Sequence, residues 1–130
     1  MEPFYKYERV ILVDDNYIDN IIHQKIILST QFAKEVSIFE SASLALKFLK
    51  QIEFKTEPPL VIFLDIRMPE IDGYGFLSEL RNLQNISITQ LKIYVLSSSL
   101  DPLDRKKIEK NPFAETFISK PLTAQILKQL

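Results

Sequence analysis

Cysteine is absent from this 130-residue chain, glycine occurs twice, and charge is nearly balanced, with 16 Lys and Arg against 17 Asp and Glu. Without cysteine there is no disulfide, no zinc–thiolate site and no thiol nucleophile. Both glycines, Gly73 and Gly75, lie in one short stretch, so a glycine-rich loop cradling a nucleotide or flavin phosphate is hard to build. A formal net charge of −1 lacks the basic excess of a nucleic-acid binder. Long hydrophobic runs are missing too, since stretches such as Leu60 to Leu64 are far too short to span a bilayer. Met1 to Arg9 is polar and aromatic, unlike a secretory leader. The expectation is a cytoplasmic protein with no membrane partner and no direct nucleic-acid partner.

Hydrophobic residues make up 46% and charged residues 25%, the balance of a globular protein. A chain of this size supports one core but not two, so residues 1–130 are expected to form one domain. Short apolar runs at Val10 to Val13, Val36 to Phe39, Leu60 to Leu64, Ile93 to Leu96 and Phe117 to Ile118 alternate with segments of helical period. Three of these runs are nearly continuous, as in parallel strands buried on both faces. Ile18, Ile21, Ile22 and Ile26 mark one helical stripe. Ala45, Phe48, Leu49 and Ile52 mark a second, and Phe76, Leu80 and Leu83 a third. Asn16 with Asp19 has the form of a capping box, and Asp101-Pro102 that of an N-cap followed by an N1 proline. Asn111-Pro112 closes that mostly polar fourth helix, a fifth starts near Thr123, and Pro58-Pro59 reads as a loop. The order βαβαβαβαβα predicts an α/β fold, a five-stranded parallel sheet with helices on both faces.

In open α/β sheets, ligands bind outside the carboxyl ends of the strands. The first run ends in Asp14 and Asp15, the third in Asp65, the fourth in Ser97, and the fifth leads through Ser119 to Lys120 and Pro121. One such aspartate alone is an ordinary strand-end or cap residue; four strand ends together point to a site. Three carboxylates close together repel, so one is protonated or a cation joins them. With oxygen donors and no cysteine, the hard cation Mg²⁺ fits. Lys120 and Ser97 can contact phosphoryl oxygens, and one carboxylate can act as a nucleophile toward phosphorus.

With these residues placed, the chain resembles the receiver domains of bacterial response regulators over essentially its whole length. The segments that carry the resemblance are VILVDDN, VIFLDIRMPEIDGYGF, YVLSSS and FISKPL. It implies a flavodoxin-like doubly wound sheet of order 2-1-3-4-5. It implies that Asp65 is the phosphoacceptor and that Asp14, Asp15, Asp65 and the backbone carbonyl of Arg67 hold Mg²⁺. Ser97 would be the switch hydroxyl, Phe117 the switch aromatic and Lys120 the phosphoryl contact, with a cis bond to Pro121. The implied function is a phosphoryl-accepting signalling switch, supplied by a sensor histidine kinase or a histidine phosphotransfer protein. Phosphorylation would change the surface around the fourth helix, fifth strand and fifth helix to control a partner. Such a domain is no enzyme beyond its own phosphorylation and dephosphorylation.

Other readings use the same residues. An aspartyl-phosphate phosphatase of the haloacid-dehalogenase type needs a second Asp where Arg67 stands, and a receiver-like interaction module that is never phosphorylated needs no complete pocket. The Arg67 guanidinium is expected to pair with the acidic cluster when no metal is bound. His23 reads as an ordinary helix residue, Gly73 as a source of positive φ, and Gly75 as a packing requirement. Ser99 reads as a loop residue that could line the pocket mouth.

Overall fold

Backbone pairing carries each strand past its apolar run, because a polar side chain at a strand end can face water while its peptide stays in the ladder. The computed structural model describes residues 4–52, 59–84, 86, 90–98 and 101–130; Pro58 and Ser99 lie outside them. In chain order the elements are β1 (Tyr7–Val13), α1 (Tyr17–Ser29), β2 (Ala33–Phe39), α2 (Ala42–Gln51), β3 (Leu60–Asp65), α3 (Gly73–Leu80), β4 (Leu91–Ser97), α4 (Pro102–Glu109), β5 (Ala114–Ser119) and α5 (Ala124–Lys128). The strands form one parallel sheet, as the alternating pattern predicts, in the order β2-β1-β3-β4-β5 that the resemblance implies.

Side chains alternate across the strands and divide the core into two layers. Ile11, Val13, Ile62, Leu64, Ile93 and Val95 face one way and pack with α2, α3 and Ile108 of α4. Val10, Leu12, Val61, Phe63, Tyr94 and Leu96 face the other way and pack with Ile27 of α1 and Leu127 of α5. A row of rings, Tyr7, Phe32, Phe63 and Tyr94, crosses the second layer with centroids 5.1, 6.0 and 5.5 Å apart in turn, within the range where aromatic pairs attract.

Each of the α-helices named above begins on a side-chain acceptor: Asn16, Ser41, Asp72, Asp101 and Thr123 each take a backbone N–H from the first turn. Each such cap is worth about 1 kcal/mol. Asn16 does half of what a capping box requires. Its own N–H goes to the Asp14 carboxylate, and the Asp19 carboxylate turns instead to Lys120.

Two local expectations are corrected. Most of the isoleucine stripe of α1 turns away from the core: Ile18 is 66% exposed and Ile22 48%, Ile26 packs partly against it, and Asn20, His23 and Ile27 are the buried residues. The inward face of α1 borders polar strand ends, and Asn20 Nδ2 donates to the Asp14 carbonyl at 2.8 Å. Gly73 has no positive φ; the left-handed residue of that loop is Glu70, at 65°. Gly73 is needed for close approach, since a Cβ there would lie 2.8 Å from the Asp65 carbonyl oxygen and the Ile66 Cα. A Cβ on Gly75 would lie 2.8 Å from the Ile71 Cγ2, which agrees with a packing role.

Candidate functional site

The strand register assembles the site. Val13 pairs with Leu64, which sets Asp14 level with Asp65, and Asp65 itself pairs with Leu96. Ser97 pairs with Ser119, so Lys120 lies one residue beyond Ser97 on the neighbouring strand. The Lys120 N–H donates to the Ser97 carbonyl at 3.0 Å, and the bond to Pro121 is cis. Asp14, Asp65 and Ser97 are buried, Asp15 is exposed, and Phe117 is partly buried against the layer that holds α2 and α3.

Asp14, Asp15 and Asp65 each offer a carboxylate oxygen, all within 4.8 Å of one another. Among the described residues the Lys120 ammonium is the cation within reach. It lies 2.7 Å from Asp14, 2.8 Å from Asp19 and 3.6 Å from Asp65. Burial, then the charge of Asp14, pushes the Asp65 pKa up to about 6 against the pull of Lys120 and of the Arg67 N–H. Burial alone would lower the Lys120 pKa, but its hydrogen bonds to Asp14 and Asp19 raise it above the usual value, so it stays charged. Three carboxylates with one lysine remain net negative, and an all-oxygen donor set of this size suits a hard divalent cation.

Asp19 belongs to this site although the sequence presents it as a cap residue; an acid one turn after Asp15 was the available signal. Asn20, buried beneath, leaves its Oδ1 without a hydrogen-bond partner. The Arg67 guanidinium does not pair with the acidic cluster. It meets Asp104 of α4 at 2.5 Å, and the Tyr74 hydroxyl donates to the other oxygen of Asp104 at 2.6 Å. Asp104 lies buried, an outcome no periodicity in the polar α4 announces. Arg105 stands over the Phe117 ring, 5.4 Å from its centroid. Among the described residues no helix is long and apolar enough to cross a membrane.

An open parallel sheet whose carboxyl edge gathers three acids, a hydroxyl and a lysine has the layout of a phosphoacceptor signalling domain. The chain belongs to the response regulator receiver domain family, whose model matches residues 10–130, and the acidic cluster is the family's active site. It is similar to the two-component response regulator ORR1 of Oryza sativa subsp. japonica, with 31% identity over 94% of this chain and 53% of the relative. The chain thus spans about half the length of that curated relative. Among solved structures it is similar to a two-component response regulator from Cytophaga hutchinsonii (31% identity, TM-score 0.85, covering 94% of this chain and 92% of the other). A response regulator receiver protein from Dyadobacter fermentans DSM 18053 gives 28% identity and a TM-score of 0.83, covering 94% and 93% of the two chains.

Proposed function

We propose that residues 1–130 act as one cytoplasmic phosphoryl-accepting switch in which Asp65 is the acceptor. The observation that carries this reading is the buried Asp65 carboxylate, flanked by Asp14 and Asp15 within 4.8 Å and by the Lys120 ammonium at 3.6 Å. An oxygen of Asp65 attacks the phosphorus of a phosphohistidine, the P–N bond breaks, and the imidazole leaves with the electron pair and takes up a proton. The product is an acyl phosphate. Water later attacks phosphorus, the P–O bond to Asp65 breaks, and carboxylate and inorganic phosphate are restored. A sensor histidine kinase or histidine phosphotransfer protein is the donor this chemistry asks for.

Asp14, Asp15, Asp65 and the Arg67 carbonyl would hold Mg²⁺, which, when bound, offsets the repulsion among the carboxylates and the charge of the phosphoryl oxygens. Lys120 contacts a phosphoryl oxygen, and Ser97 donates a hydrogen bond to another. Ser97 drawn inward leaves space for the Phe117 ring, which alters the surface of α4, β5 and α5. The phosphatase reading lacks its second acid, because Arg67 stands in that place and is engaged by Asp104.

The test is Mg²⁺-dependent labelling by acetyl phosphate. Wild type should give a hydroxylamine-sensitive adduct and Asp65→Asn none; labelling retained in Asp65→Asn, or undiminished in a chelator, overturns the reading.

A further inference from the structure

Arg67 follows the acceptor by two residues and reaches a distant helix. Its backbone N–H counters the rise of the Asp65 pKa, while its side chain pairs with Asp104 on α4 at 2.5 Å. The other Asp104 oxygen accepts from Tyr74 on α3 at 2.6 Å. On α4 two residues are buried, Asp104 and Ile108. A carboxylate taken out of water is costly unless paired and hydrogen-bonded, so the buried part of this helix's seat is one apolar side chain and one clamped anion, with Arg105 over Phe117 and Lys107 over Tyr74 at its exposed side. The guanidinium end of the clamp is loosely held, with 60% of the Arg67 side chain exposed against 6% for Asp104. The guanidinium is open to solvent and can swing away without opening a cavity, whereas the buried carboxylate cannot lose its partner cheaply.

We propose that Asp104 and Tyr74 are positioning residues for Arg67, and that this clamp makes the seating of α4 depend on the charge at Asp65. The inference rests on the reading of Asp65 as acceptor. A phosphoryl group there adds negative charge and acceptor oxygens, which a guanidinium binds in preference to a single carboxylate oxygen. Arg67 stands two residues after Asp65, in the loop that leaves β3, so its side chain need only rotate. Asp104 then loses its guanidinium while still buried, and α4 relieves the cost by releasing the carboxylate toward water. This route is separate from Ser97 and Phe117, because it runs through the loop after β3 and through α3.

Amide hydrogen exchange of residues 102–109 in the full chain, with and without beryllofluoride and Mg²⁺, tests the clamp, with acetyl phosphate labelling followed in parallel. In wild type the mimic should speed exchange in α4 about tenfold, the effect of losing one charge-assisted hydrogen bond. Arg67→Met should reach that level before any mimic is added. Asp104→Leu should keep α4 seated through apolar packing and still accept the label, yet respond to the mimic by less than about twofold. Asp104→Asn, which preserves shape, should show the same loss of response if the leucine variant folds poorly. A mimic response in these Asp104 variants equal to that of wild type overturns the inference. So does a wild-type α4 unmoved by the mimic on protein that takes the label. Failure of wild type to label defeats the acceptor reading instead, and the metal-free comparison of wild type with Arg67→Met still decides whether the clamp seats α4.

Discussion

Lys120, just past the end of β5, is ion-paired at 2.8 Å with Asp19 in the first turn of α1, closer than it stands to Asp65 at 3.6 Å. The two residues are 101 positions apart in the chain. The lysine proposed to meet the phosphoryl group is therefore shared among three carboxylates. Its reach toward Asp65 is limited by Asp14 and Asp19, which hold it on the α1 side.

Replacing Lys120 by alanine leaves buried Asp14 facing Asp65 without a cation. Metal-free stability should fall by about 3 kcal/mol, the usual cost of breaking a buried pair from one side. Mg²⁺ affinity should hold or rise, because an opposing cation has gone, and the response to beryllofluoride beyond the pocket should shrink. Urea denaturation in a chelator and a Mg²⁺ titration check both; a clear drop in Mg²⁺ affinity contradicts the charge balance described.

Asp65 has a folded-state pKa raised above its ordinary value of 3.8, to about 6. Its contribution to stability is fully present below the unfolded value and is lost as pH rises through about 6. In a chelator at pH 7, Asp65→Asn should therefore be more stable than wild type by about 3 kcal/mol. The gap should close toward pH 4. Equal stabilities at pH 7 would show that Lys120 neutralises the site more fully than its 3.6 Å separation indicates.

His23 titrates in the opposite sense. Burial first, then the charge of Lys120, lowers its pKa below 6.5 despite Asp19 and Asp14. Its contribution is fully present above the unfolded value and is lost as pH falls through the folded one, where the buried ring must charge. As the one histidine of the chain, it gives an isolated NMR titration, whose midpoint should lie below 6.5. His23→Gln should flatten the acid side of the stability curve. A midpoint above 6.5 would mean that the nearby carboxylates outweigh burial.

The two glycines should behave differently. In Gly73→Ala the new methyl meets backbone, the Asp65 carbonyl oxygen and the Ile66 Cα, both at 2.8 Å. The expected loss is about 2–3 kcal/mol with disturbed labelling at Asp65. In Gly75→Ala the nearest atom is a side-chain methyl of Ile71, and the gain in helix propensity of about 1 kcal/mol should roughly offset the contact. Thermal melts of the two variants, run side by side, decide this.

The carboxyl-edge residues were legible in sequence because strand ends are marked by abrupt changes from apolar to acidic or basic residues. Asp14 and Asp65 stand at such a change, Asp15 follows at once, Ser97 and Ser119-Lys120 mark a turn from apolar to polar, and parallel pairing brings them together. The orientation of α1 was not legible. Its isoleucines form the stronger apolar stripe, yet the helix turns Asn20 and His23 inward because the strand ends beneath it are polar. The burial of Asp104 was hidden for a related reason: its partners, Arg67 and Tyr74, lie 37 and 30 residues away. Nothing in the local pattern of α4 distinguishes a clamped carboxylate from a solvated one.

The core is thick under the central strands and thin at both margins, β2 burying one of its seven residues. Val10, Ile11, Val13, Val61, Ile62 and Leu64 are wholly shielded from water on β1 and β3. On the other flank β5 buries one of its six residues, its pairing with β4 slips between Ile93 and Tyr94, and α4 rests on Ile108 and a paired anion. Asp65 ends the central strand β3, and β4 beside it still buries six of its seven residues. Pulled or warmed, the domain should shed its β5 margin well before its β1–β3 trunk, so added charge at Asp65 pushes against a fixed abutment and the displacement goes to the free edge.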